Sequence, residues 1–220
     1  MTRIILFCSI LFLNASMFCG LEQNYSVKVF VGKEAMPFCE IVSLQVMQAF
    51  AEYPYLYSGT LEGDIEYFNT WLAKGDPALA LVFYNNEPIA SMKGYSLETY
   101  LNPQARDLFL AEQIDIAQFY YITDLAVIPA HRGNHISRML INALEEYAKT
   151  AGYNCACLTT EKGDQNDFLM PENYTSRTYY YAGYAQTFFY MVKEWPTFQS
   201  DGTIKLQDHK LDFWFKDLQD

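Results

Sequence analysis

The sequence lacks the residue patterns of metal-binding and redox proteins. It has no Cys-x-x-Cys pair, and its three histidines and five cysteines show no spacing typical of a metal site. Low-complexity tracts, long runs of one charge and repeats at solenoid spacing are also absent. The composition therefore gives no sign of a disordered chain or a repeat array. With 220 residues, 51% of them hydrophobic, the chain has enough material for one well-packed domain.

Basic residues are also scarce. Lysine and arginine together number 15, against 26 aspartates and glutamates, which gives a net charge of −11 and a pI near 4.7. A nucleic-acid backbone would be repelled unless the basic residues gathered on one face, so the sequence predicts no nucleic-acid partner. The acidity favours a cationic partner such as an amine. Charge that serves only solubility is the alternative.

The cysteines do not predict a disulfide between near neighbours. Cys155 and Cys157 are two residues apart in a predicted strand, so their side chains point the same way. We interpret them as small buried apolar side chains.

The first twenty residues form a segment of their own. An apolar run from Ile4 to Phe18 follows Arg3, which is typical of a secretory signal peptide or a short membrane anchor. The run is shorter than the roughly 20 apolar residues of a membrane-spanning helix, and no clean cleavage site follows it. We predict a signal or anchor at residues 1–20 and a folded domain at 21–220. The chain is then exported or membrane-anchored, whereas translation from Met17 would leave it cytoplasmic.

Strand-like and helix-like stretches alternate from Tyr25 onward. Their periodicities predict a single mixed α/β domain with one strand–loop–helix crossover at its centre. The predicted strands are Ser26–Val31, Ala78–Tyr84, Pro88–Gly94, Phe119–Ile128, Tyr153–Thr159, Gln186–Val192 and Leu211–Phe215. The predicted helices are Phe38–Phe50, Leu61–Ala73, Ser96–Gln113, His135–Thr150 and Ser176–Ala182.

The central crossover is the segment that carries chemistry. A strand ends at Pro129, a short loop follows, and a helix begins near His135. A helix N-terminus exposes unpaired N–H groups and the positive end of its dipole, so it attracts phosphate groups. Gly133 lets the backbone come close, and Arg132 can add a charge-assisted contact to a diphosphate. On these grounds alone the segment predicts only an anion site.

The full pattern of this segment is more specific. Leu125-Ala126-Val127, Pro129, Arg132-Gly133-Asn134-His135-Ile136-Ser137 and Leu140 closely resemble motif A of the GNAT acetyltransferases. That family's turn runs Arg or Gln, two variable residues, Gly, one variable residue, then Gly or Ala. His135 departs from the pattern in place of the first motif glycine, where its side chain could narrow the phosphate cradle. Ser137 replaces the second small residue.

The resemblance implies a fold and a donor. The fold is a mixed central sheet that splays between its fourth and fifth strands, flanked by helices. The backbones of Leu125, Ala126 and Val127 would pair with the pantetheine arm of acetyl-CoA. The N–H groups of Arg132, Gly133, Asn134, His135, Ile136 and Ser137 would hold its diphosphate. A neutral amine would attack the acetyl group directly, without a covalent enzyme intermediate, and backbone N–H groups would stabilise the oxyanion.

Two residues are candidates for proton transfer. Asp124, on the predicted strand beside the thioester, is the candidate base; a solvated or structural carboxylate at a strand edge is the alternative. Tyr179 is the candidate acid, because it precedes Gly183-Tyr184 as the family's late tyrosine precedes a Gly-aromatic pair. Tyr180 and Tyr181 leave that assignment open by one position.

The acceptor side is less informative. Residues 52–57 and 62–66 are aromatic and acidic, which suits an amine of a small molecule or peptide, although helix packing explains them equally. The aromatic tail, from Trp195 to Phe215, is either core or the surface of a homodimer. We therefore predict an N-acetyltransferase. The alternative is a catalytically weak acyl-CoA-binding or protein-interaction module of the same fold, which His135 favours.

Overall fold

The computed structural model describes residues 25–161 and 174–219, so the predicted signal or anchor lies outside the described residues. Its strands are β1 Tyr25–Val31, β2 Ala78–Tyr84, β3 Glu87–Ser96, β4 Phe119–Val127, β5 Cys155–Glu161, β6 Ala185–Phe198 and β7 Ile204–Asp217. Its helices are α1 Cys39–Phe50, α2 Leu61–Leu72, α3 Pro103–Ala111, α4 Ile136–Thr150 and α5 Tyr174–Tyr181. None of the described helices has the length and apolar character needed to cross a membrane.

The strands form one seven-stranded sheet in the order β1-β2-β3-β4-β5-β7-β6. Every neighbouring pair is antiparallel except β4 and β5, which the α4 crossover makes parallel. These two strands pair only where Phe119–Tyr121 lies beside Cys155–Cys157. Because β4 continues to Val127 and β5 to Glu161, the sheet opens into a gap beyond that point. The predicted mixed, splayed α/β sheet is confirmed.

Helices cover both faces of the sheet. Successive side chains of β4 point to opposite faces, so Tyr121 packs with α1, α2 and α3, whereas Tyr120 and Ile122 pack with α4 and α5. Helix α4 buries Leu140 and Leu144 completely in this second core, because they share one apolar face of the helix. The gap between β4 and β5 therefore connects two helix-covered faces.

Three elements differ from the sequence prediction by more than two residues at one end. The predicted helix Ser96–Gln113 is a short 3-10 turn followed by α3, which begins only at Pro103. The side-chain oxygen of Asn102 accepts the N–H of Ala105 at 2.8 Å, and a proline at the first helical position completes a strong start signal. Strands β6 and β7 each run 14 residues, longer than predicted, because they pair with each other as a hairpin.

The cysteine prediction agrees with the structure. Cys155 and Cys157 are both free; Cys157 is fully buried and Cys155 partly so. Burial raises the pKa of the Cys157 thiol well above its ordinary value. The buried thiol therefore behaves as an apolar side chain and not as a nucleophile.

Candidate active site

A cavity of about 1240 Å³ opens at the gap between β4 and β5. One wall, which we call the turn side, is formed by the loop after β4, the first turn of α4 and helix α5. The opposite wall, the aromatic side, is formed by the end of α1, the loop after it, α2 and the core-facing side chains of β6. The cavity thus passes through the sheet and can bring together two ligands that enter from opposite faces.

The turn side carries a row of free backbone donors. Gly133 and His135 have φ of +81° and +59°, which curves the backbone ahead of α4. Within the described part of the chain, the N–H groups from Gly133 to Ser137 donate to no other group. The helix dipole adds positive potential at the same place. This concave row of donors is suited to a multiply charged anion such as a diphosphate.

The cradle is open at Gly133, and His135 lines the cavity beside it. A Cβ added at Gly133 would meet no atom within 4 Å, so the space beside the backbone is open. His135 is the N-cap residue of α4, and its side chain is exposed. The residues present therefore fit a diphosphate group.

Arg132 has a second role that the sequence did not predict. Its Nε donates to the carbonyl oxygen of Val127 at 3.1 Å, and its Nη1 lies 2.7 Å from Oε2 of Glu52. Both side chains of this ion pair are about half exposed, so the pair contributes little to stability and can open. The guanidinium stands beside the cradle, where an anion can take the place of Glu52.

The edge of β4 that faces the gap begins beyond a bulge. Pairing with β3 shifts between Ser91 and Lys93, and Asp124 at this point has φ +53°. After the bulge, Ala126 and Val127 pair with Ser91 and Ala90 of β3, and the side chains of Leu125 and Val127 line the cavity. The Val127 carbonyl accepts the side chain of Arg132, which also lines the cavity. A strand-like ligand can pair with this edge as β5 does further along.

Asp124 lies beside the cavity as predicted, but its carboxylate is engaged. Oδ2 is 2.6 Å from Nζ of Lys93, and the Thr123 hydroxyl donates to Oδ1 at 3.0 Å. Burial, the largest single effect, raises the pKa of Asp124, but Lys93, Lys193 and the Thr123 hydroxyl together outweigh it, and the pKa lies below its ordinary value. A carboxylate held anionic in this way is a weak acceptor for a proton at neutral pH.

Tyr179 is the one of the three consecutive tyrosines whose ring is buried. It is 3% exposed and lines the cavity, whereas Tyr180 and Tyr181 are 68% and 66% exposed. Burial raises the pKa of Tyr179 well above its ordinary value, so its phenol stays protonated. A neutral phenol on the turn side can donate a proton to a leaving group there.

Sequence analysis missed two lysines of the site. Lys93 on β3 is 2% exposed, pairs with Asp124, and lies 4.5 Å from the centroid of the Tyr67 ring. Lys193 on β6 lines the aromatic side of the cavity. The alternation of side chains along β6 could have predicted Lys193, because Phe189 and Met191 are buried and residue 193 lies on the same face of the strand.

Residues 62–66, in α2, contribute one carboxylate to the cavity. Of the stretch 62–66, Asp64 is buried in the wall and accepts the Tyr57 hydroxyl at 3.1 Å. Burial raises the pKa of Asp64, although the Tyr57 hydrogen bond and Lys93 partly offset it. The aromatic side thus offers rings and a partly neutralised carboxylate.

Comparisons with known proteins agree with this geometry. The model of the acetyltransferase (GNAT) family matches residues 44–167, more than half of the chain. Among solved structures, yncA from Salmonella typhimurium with its cofactor acetyl-CoA aligns with a TM-score of 0.56 and 13% identity, covering 88% of this chain and 94% of that one. An aminoglycoside 6′-N-acetyltransferase complexed with coenzyme A gives 0.55 and 13%, covering 88% and 97%.

A third solved structure has an acceptor of another kind in its name. The ribosomal-protein-alanine N-acetyltransferase of Brucella melitensis aligns with a TM-score of 0.55 and 13% identity, covering 87% of this chain and 99% of that one. At such identities the likeness shows the fold alone. No curated protein matches the chain in sequence.

Proposed function

Because the chain belongs to the GNAT acetyltransferase family, we propose that it transfers an acetyl group from acetyl-CoA to a primary amine of a small molecule or peptide. The observation that carries this proposal is the cavity through the gap between β4 and β5. It joins a diphosphate cradle on one face of the sheet to an aromatic, partly acidic wall on the other. Donor and acceptor can therefore meet in the gap without a covalent enzyme intermediate.

The donor is held by backbone groups. The free N–H groups from Gly133 to Ser137 bind the diphosphate, and the Arg132 side chain exchanges Glu52 for it. Leu125, Ala126 and Val127 present the strand edge along which the pantetheine arm lies. When bound, acetyl-CoA supplies a thioester whose carbonyl carbon accepts the amine.

The acceptor enters from the aromatic side. Tyr57, Tyr67 and Asp64 lie in this wall, and rings with a nearby carboxylate suit an ammonium group before it loses its proton. Tyr179 holds its phenolic proton on the turn side, where it protonates the departing thiolate. Asp124 keeps Lys93 in place and supplies negative charge beside the amine.

The test is calorimetric titration of acetyl-CoA into the full chain and two charge-reversal variants. Arg132→Glu should weaken binding at least about tenfold, because it replaces a charge-assisted contact by repulsion. Arg106→Glu is the matched control. Arg106 also forms an exposed pair, with Glu98 at 3.7 Å, but on α3, away from the cradle. The affinity of the Arg106→Glu variant for acetyl-CoA should match that of the wild type.

A third variant measures the competition by Glu52. Glu52→Gln frees the Arg132 guanidinium, so acetyl-CoA should bind up to about fivefold more tightly, the range of an exposed ion pair. A folded wild type that binds no acetyl-CoA would contradict the proposal. Binding without turnover on any amine would favour the alternative, a catalytically weak acyl-CoA-binding module of this fold.

A further inference from the structure

Lys193 occupies a distinctive place in the aromatic side of the cavity. It lies on the core-facing side of β6, directly opposite His209 on β7. Its ammonium stands over the ring of Tyr100, 4.3 Å from the centroid. Tyr100 in turn stacks on Tyr121 at 3.9 Å between centroids. Tyr121 is the last residue of β4 that pairs with β5, so Lys193 stands over the start of the gap.

Charged groups lie near Lys193, but among the described residues Lys193 forms no ion pair. Asp124, the carboxylate whose charge raises the pKa of Lys193, is paired with Lys93 at 2.6 Å. Burial lowers the pKa of Lys193 to about 8, and the attraction of Asp124 only partly offsets this effect. The titratable groups around it are Asp124, Tyr121, Tyr100, Lys93, Lys74 and His209.

We propose that Lys193 is the catalytic base of this site, accepting through Nζ the proton of the acceptor's ammonium group. The proposal rests on the acetyltransferase function proposed above. The lone pair of the neutral lysine takes one N–H proton and releases a neutral amine beside the gap. The amine nitrogen then bonds to the carbonyl carbon, and the carbon–sulfur bond breaks. Tyr179 protonates the sulfur, and the second amine proton passes through solvent to restore it. Lys193 returns its own proton to water.

Geometry favours Lys193 over the carboxylates of the cavity. Asp124 is held by Lys93 and Asp64 accepts the Tyr57 hydroxyl, while Glu52 is about half exposed and pairs with Arg132 until a diphosphate displaces it. Lys193 instead has a ring face beneath it and open cavity beside it. A base on the aromatic side can take a proton from the entering ammonium, and an acid on the turn side can give one to the departing sulfur. A half-buried lysine whose neutral form is populated near pH 8 is a competent general base.

The first experiment compares Lys193→Met and Lys193→Arg across pH, with acetyl-CoA and an amine that the wild type turns over. Wild-type kcat/KM should rise with pH and level off above about 8. In both variants kcat/KM should be about 100-fold lower at pH 8, and it should no longer level off above that pH. A tertiary amine, which cannot form a stable amide, should partly rescue Lys193→Met. Lys210→Met is the matched control, because Lys210 also stands over a tyrosine ring, at 3.9 Å from Tyr190, but on the exposed face.

The second experiment needs no turnover. Trace acetic anhydride labels neutral amines, and mass spectrometry of peptides from the folded chain gives the labelling of each lysine against pH. Lys193 should become reactive with a midpoint near 8, well below the ordinary lysine value of about 10.4.

The outcomes separate the two proposals. A Lys193 midpoint at the ordinary lysine value of about 10.4, or a Lys193→Arg variant whose kcat/KM stays within about threefold of the wild type, would overturn the base and indicate an anchor for an acceptor anion. Both results leave the acetyltransferase function intact. A wild type that binds acetyl-CoA but acetylates no amine would overturn that function and the base with it.

Discussion

Tyr179 gives the clearest prediction at the scale of single residues. Tyr179→Phe removes the proton donor and keeps the ring, so kcat should fall about 100-fold while affinity for acetyl-CoA stays unchanged. Tyr180→Phe is the control, because that side chain is 68% exposed and does not line the cavity. Steady-state kinetics and calorimetry on the same preparations make the comparison. Equal kcat losses in the two variants, or a loss confined to affinity, would remove Tyr179 as the acid.

Residue roles were predictable only where a motif fixes them. The turn from Arg132 to Ser137 could be predicted as a site because its proposed chemistry is carried by backbone groups that are contiguous in sequence. The engagement of Asp124 by Lys93 was not found, because it depends on the register and bulge between β3 and β4. Lys193 lies 69 residues from Asp124 in sequence, and only the β6–β7 hairpin brings it to the same cavity. Long-range register leaves no local pattern in a sequence.

At the scale of elements, the backbone at the start of α4 explains how histidine can stand at position 135, where the family motif has glycine. His135 caps the helix in the left-handed region, at φ +59° and ψ 16°. Histidine is one of the residues that adopt this region more readily than most. His135→Gly should therefore keep acetyl-CoA affinity within about threefold, since glycine suits the same backbone. His135→Val should lose about 1–2 kcal/mol of unfolding free energy, because a β-branched side chain is strained there.

Calorimetry and urea denaturation separate the roles of the backbone and the imidazole in these two variants. Both substitutions delete the imidazole, so a shared loss of affinity would mean that the ring itself contacts the diphosphate. A large gain in His135→Gly would mean that the ring narrows the cradle. Either result contradicts the interpretation of His135 as a tolerated cap.

The same scale shows what periodicity predicts well. Helix α4 was expected from His135 to Thr150 and is found at Ile136–Thr150, since a clean apolar stripe and a loop on each side define it. The β2–β3 hairpin was also predicted, because apolar runs flank a polar turn. The prediction of a single helix over residues 96–113 was wrong. It followed the apolar spacing, whereas Asn102 and Pro103 start a new helix within the stretch. Hydrophobic periodicity therefore predicts where a helix or strand lies, and capping residues or prolines within the same stretch decide where it is interrupted.

At the scale of the whole molecule, the N-terminal prediction and the proposed chemistry stand in tension. Acetyl-CoA is a cytosolic metabolite, whereas a functional signal at residues 1–20 would export the chain. The signal, the domain division at residue 21 and the homodimer remain predictions. The aromatic tail contributes at least to the core: Phe213 is fully buried, while Ile204 and Leu206 near the hairpin tip are exposed.

The stability of the whole fold should depend on the buried pair of Asp124 and Lys93. Their side chains are 14% and 3% exposed, so removing one partner leaves the other charge buried without compensation. Asp124→Asn should therefore lower the unfolding free energy by about 3–5 kcal/mol at pH 7. The double variant Asp124→Asn with Lys93→Met should recover most of this loss, because neither charge remains. Urea denaturation measures both changes.

Acid should remove the same contribution in the wild type. The Lys93 ammonium holds the pKa of Asp124 below its unfolded value of about 3.9, despite burial, which raises it. The carboxylate's contribution is therefore fully present above about pH 4 and is lost as pH falls through the folded-state pKa. Other carboxylates titrate in the same range, so the informative quantity is the difference between the wild type and the double variant. That difference should grow as pH falls below about 4, to the disadvantage of the wild type, because protonated Asp124 leaves Lys93 buried and unpaired. A difference independent of pH would mean that Asp124 and Lys93 are not coupled in solution.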